Sequence, residues 1–93
     1  MQQASSVKIT ARALQFLSAI STPVSIEDFI RLELTGDPTA DIFLSKISRM
    51  LLEQLRGDEM IISDDLTVPS PQIYGLTPQG IEMHQLFLKL TNA

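Results

Sequence analysis

Ninety-three residues, 44% apolar and 19% charged, make one small domain near the lower limit of what a single hydrophobic core stabilises unaided. The absence of cysteine excludes disulfides and thiolate metal sites and fits a reducing cytoplasm. Seven basic residues against eleven acidic ones give a net charge of −4, which argues against a phosphate-backbone binder unless a local basic stripe is present.

The N-terminal run MQQASSVKITARALQFL lacks the unbroken apolar stretch of a signal peptide, because Lys8, Thr10, Arg12 and Gln15 interrupt it. No apolar run approaches the ~20 residues that a membrane-spanning helix needs, so a soluble, cytoplasmic domain with no membrane partner is expected. A first helix is predicted over about residues 8–20, with Ala13, Phe16, Leu17 and Ile20 on one face. Pro23 stops it by disfavouring helix at Thr22.

The second helix has the best start signal in the chain. Ser25 is the N-cap, Asp28 stands three residues on as a capping-box variant, and Val24 and Phe29 are placed for a hydrophobic staple. Ile26, Phe29, Ile30 and Leu34 supply its buried side, and Gly36 marks its end. The third helix follows at once, over about residues 38–56, with Asp37 as cap and Pro38 at the first position. Ala40, Phe43, Leu44, Ile47, Met50, Leu51 and Leu55 form its apolar stripe, predicted to face the core. Ser45, Ser48, Arg49, Glu53 and Arg56 fall on the other side, with Lys46 at the margin.

Residues 59–76 then read as a β-hairpin. Met60-Ile61-Ile62 leads to the polar turn Ser63-Asp64-Asp65, the loop holds Pro69 and Pro71, and Ile73-Tyr74-Gly75-Leu76 returns. Leu66 and Val68 near its tip are expected to fold back over the hairpin or to belong to a longer strand, the other reading being an apolar contact for a protein partner. Thr77-Pro78 opens a terminal helix over about residues 78–91: Thr77 is a good N-cap, and Pro78 loses nothing at the first position.

A strand running through Tyr74-Gly75-Leu76-Thr77-Pro78-Gln79-Gly80, a Y-x-L-T-x-x-G pattern, into an apolar helix resembles the end of the wing in winged-helix proteins, particularly regulators of the PadR and MarR type. The resemblance implies a mainly helical fold with a small β-hairpin: three helices, a two-stranded wing and a fourth helix, spanning residues 1–93 as one domain. It also implies that the third helix enters the DNA major groove. There Ser45, Lys46, Ser48, Arg49 and Arg56 become the DNA-binding set, with Arg49 suited to a guanine and Lys46 to a phosphate.

The wing pulls the other way. Between Gly57 and Leu88 there is no Lys or Arg, while Asp58, Glu59, Asp64 and Asp65 are acidic. The terminal helix is apolar on more than one side, so Ile81, Met83, Phe87, Leu88 and Leu90 are expected at a homodimer interface. His84 is the only histidine, which leaves too few ligands for a transition metal, and no metal or other cofactor is expected. No nucleophile, base and orienter stand together, so an enzyme is not expected. Two functions follow. One is a homodimeric transcription regulator on double-stranded DNA. The other is an acidic winged-helix interaction module, a partner-binding or inhibitor protein such as a mobile element could carry, that binds a protein partner through its wing or terminal helix without touching DNA.

Overall fold

The computed structural model describes the backbone of residues 2–92 and the side chains of residues 8–90. The chain is mainly helical, with one small antiparallel sheet. In order it forms α1 (Gln2–Ala19), β1 (Val24–Ser25), α2 (Ile26–Arg31), α3 (Pro38–Gly57), β2 (Ile61–Ser63), β3 (Gln72–Leu76) and α4 (Pro78–Asn92). The sheet order is β1-β3-β2, so the last strand of the hairpin lies between the other two.

β1 is absent from the sequence reading. Two residues carry no alternation to detect, and only their pairing with β3 (Val24 with Ile73, Ser25 with Gln72) makes them a strand. The hairpin is as expected but irregular. Ile61 pairs with Leu76, Ile62 with Gly75 and Ser63 with Ile73, so Tyr74 is the extra residue of a bulge. Gly75, at φ +149°, supplies the backbone freedom this kink requires.

The caps explain where the helices begin. The Asp28 N–H donates to Ser25 Oγ over 3.1 Å, and the Thr39 N–H to Asp37 Oδ1 over 3.0 Å. Asp28 does not complete a reciprocal box; its carboxylate takes Arg31 at 3.0 Å instead. α2 also ends at Arg31, well short of Gly36. The N–H groups of Leu32, Glu33 and Leu34 turn to carbonyls three residues back. Asp41 then draws the N–H groups of Thr35 and Gly36 out of helical register, at 2.7 and 3.0 Å. Leu34 is left exposed as a result. At the other end of the chain, α1 starts six residues earlier than the apolar spacing alone predicts.

One core unites these elements. Ala13, Leu14 and Leu17 of α1 meet Ile26, Phe29 and Ile30 of α2, Leu52 and Leu55 of α3, and Ile61 and Ile73 of the sheet. Phe16 tilts against Phe29 with ring centroids 6.2 Å apart. Leu66 folds back to pack on this core, while Val68 stays exposed.

Candidate functional site on the third helix

At 100° per residue, the buried positions of α3 define one direction: Ser48, Leu52 and Leu55. Ser48 is 2% exposed and faces inward, which corrects its expected place on the outward side. Its small side chain lets α3 approach the core closely, with fully buried Leu52 one turn on. Leu52 is missing from the sequence-read stripe because that stripe is wider than the core can cover, and the helix rotates to bury its edge.

The rotation turns the middle of the stripe outward. Phe43 is 63% exposed, Ile47 45% and Met50 66%. Leu44 and Leu51 are half-buried and join this exposed ridge to the core. Beside the ridge, Ile9 and Thr10 of α1 and Ile47, Met50, Leu51 and Gln54 of α3 line an open groove of about 270 Å³. Exposed large apolar side chains that form a contiguous patch, rather than standing singly, mark an interaction surface.

The other proposed DNA contacts spread along the helix. Ser45 is half-buried, and Lys46, Arg49 and Arg56 are exposed. Among the described residues Lys46 and Arg49 make no ion pair. Arg49 borders a small cleft with Glu27 of α2 and with Ser70 and Pro71 of the hairpin loop. Arg56 stands near the hairpin, where its charge helps hold the Asp65 carboxyl below the usual range, after the larger effect of hydrogen bonds from Thr67. Glu53 is exposed among these cations.

The hairpin's acidic residues have structural employment. Asp64 accepts from the Tyr74 hydroxyl at 2.8 Å and the Gln72 N–H at 3.1 Å, tying the two strands together at the base of the loop. Asp65 accepts from the N–H and hydroxyl of Thr67 at 2.9 and 2.7 Å. These bonds give Asp64 and Asp65 a structural role, and the negative charge remains.

On α4, Met83 and Phe87 pack against the core, while Ile81, Leu88 and Leu90 are exposed. The five residues expected at one interface therefore do not share one surface. His84 lies between α1 and α4 beside Lys8, Arg12 and Gln15, and its Nε2 is buried without a hydrogen-bond partner. Arg12 in this cleft is already engaged by Glu33, at 2.7 and 3.2 Å. Among the described residues no three His, Cys, Asp or Glu side chains gather as a metal site, and no helix is long and apolar enough to cross a membrane. Comparison with protein families, with curated proteins and with solved structures gives no match to this chain.

Proposed function

We propose that this chain is a winged-helix domain that works by protein contact at α3 rather than by reading DNA. The element order supports the architecture: a short strand between the first two helices, a third helix, then a two-stranded wing that closes a β1-β3-β2 sheet. The observation that carries the function is the outward face of α3. A helix that reads base edges presents donors and acceptors to them. Here Phe43, Ile47 and Met50 stand exposed on α3, and the wing, which meets the helix on its Arg49 and Arg56 side, has acidic side chains and no cation. Such a surface gains by leaving water against another apolar surface and repels phosphate.

A DNA-binding homodimeric regulator is the second reading, favoured by the exposed Lys46 and Arg49, which among the described residues have no ion pair of their own. Fluorescence anisotropy with mixed-sequence duplex DNA at low salt separates the two. The protein-contact reading expects no binding on the order of tens of micromolar, because so few phosphates would be neutralised. Tighter binding that drops on Lys46→Ala and Arg49→Ala would establish the second reading instead.

A further inference from the structure

The protein-contact reading of α3 leaves open which surface it meets, and the spacing along the helix narrows the choice. Phe43, Ile47, Met50 and Gln54 follow one another at intervals of four, three and four residues. That is the alternation by which one helix packs a seam against another, side chains seating between those of the partner. α3 keeps this seam separate from the face that buries Ser48, Leu52 and Leu55, so it can serve both its own core and a second helix.

We propose that the occupant is a second copy of this chain, its α3 running antiparallel to the first about a two-fold axis that crosses between Ser48 and Arg49. In that register Ile47 of one copy meets Met50 of the other, twice by symmetry. Phe43 meets Gln54, whose methylenes it covers while the amide stays at the wet end of the interface. Ala40 meets Gly57 at the extremity, where both residues are small enough for the backbones to converge. The flanks then decide between self-pairing and pairing with an unrelated helix. On one flank Lys46 of each copy falls opposite Glu53 of the other, giving two opposite-charge pairs. On the other flank Leu44 faces Leu51, both half-buried and lying next to the seam.

Every position thus finds a suitable mate in the same helix reversed, as a two-fold interface demands. A parallel arrangement places Lys46 and Glu53 against leucines and loses both charge pairs. The inference rests on α3 being a protein-contact surface.

The test is the association constant of the full chain, measured by sedimentation equilibrium on four variants. The wild type is expected to dimerise, and Met50→Asp to weaken the dimer by roughly tenfold or more, since it puts an unpaired charge at the centre of the seam. Met50 is exposed, so that variant is expected to keep its fold, with circular dichroism as the check. Lys46→Glu alone and Glu53→Lys alone each set like charges opposite one another and are expected to weaken association several-fold. The double variant Lys46→Glu/Glu53→Lys re-forms both pairs with reversed sign and is expected to recover the wild-type constant within about twofold.

A dimer indifferent to Met50→Asp, or a double variant as weak as the singles, overturns the proposal. A chain that stays monomeric at several hundred micromolar and binds no duplex DNA also overturns it, while leaving α3 as a contact for a different protein. A monomer that binds duplex DNA through Lys46 and Arg49 removes the underlying reading as well.

Discussion

Gly80 lies so close to the carbonyl oxygen of Met60 that a methyl group on its Cα would overlap that oxygen. The approach is fixed from both sides. The Met60 carbonyl accepts from the Thr77 N–H at 3.0 Å, and the Gly80 N–H donates to Thr77 Oγ1 at 3.1 Å. The Thr77 hydroxyl also donates to the carbonyl of Glu59. Thr77 thus caps α4 and fastens its first turn to the chain leaving α3, and a glycine is needed where the two backbones meet.

Gly80→Ala is therefore expected to destabilise by about 3 kcal/mol or more, because the group in its way is backbone and cannot change rotamer. Gly57 provides the internal control. Nothing lies within 4 Å of the position its Cβ would take, and it sits at the end of α3. Gly57→Ala is expected to stabilise by roughly 0.4–1 kcal/mol through the unfolded chain's lost freedom. Urea denaturation of the two variants, at a concentration below that of self-association, checks both signs. A Gly80→Ala chain as stable as wild type would show that the first turn of α4 packs on Met60 less tightly than described.

Asp41 is expected to make stability depend on acid pH. Its carboxyl is held below its ordinary value, chiefly by the Thr35 backbone N–H; burial opposes this, and the Thr35 hydroxyl and the Gly36 N–H add further lowering. A depressed folded-state pKa means that the unfolded chain binds the proton more readily. The Asp41 contribution is thus fully present above the unfolded carboxyl range, near pH 4, and is lost as pH falls through the lower folded value. Urea midpoints of wild type and Asp41→Asn are expected to differ from pH 5 upward and to converge toward pH 2. Asp65 shifts in the same direction and stays in both proteins, so the difference between the curves isolates Asp41.

What the residues disclose and what they conceal follows from whether a feature is local. Ser25, Asp37 and Thr77 cap α2, α3 and α4 as read, because each bond spans two or three residues. β1 has no local signal, because its existence depends on Ile73, almost fifty residues away. The end of α2 is not local either: Asp41, already in the next helix, decides where Thr35 and Gly36 go. The candidate site is half legible. Phe43, Ile47 and Met50 read as part of one apolar stripe, but spacing alone cannot say that the core takes only its edge. The signal available was Ser48: a small residue between Leu44 and Leu52 marks where a helix can be pressed against its neighbours.

Glu59 holds a left-handed conformation, φ 59°, directly after α3, with its N–H donating to the Arg56 carbonyl at 3.1 Å. A glycine ordinarily ends a helix in this way, because an L side chain there is strained. Glu59→Gly is expected to raise stability by about 1 kcal/mol, since relief of strain outweighs the added freedom of the unfolded chain. Thermal unfolding compared with Glu59→Ala, which keeps the strain, provides the check. Equal gains in both variants would assign the effect to the removed charge rather than to the backbone.

Association is expected to be insensitive to the exposed apolar residues of α4. At 100° per residue, Leu86 and Leu90 lie on one flank of that helix and Ile81 and Leu88 on the other, while the ridge between them carries Glu82, Gln85 and Lys89. Met83 and Phe87, which would join the flanks from beneath, are packed on the core. A partner helix laid on α4 would cover either the polar ridge or only one of the two narrow flanks. Ile81→Lys and Leu90→Lys are thus expected to leave the association constant within about twofold of wild type, as surface substitutions away from an interface do. A shift to monomer in either variant would move the contact from α3 to α4, because Phe43, Ile47 and Met50 are untouched by both changes.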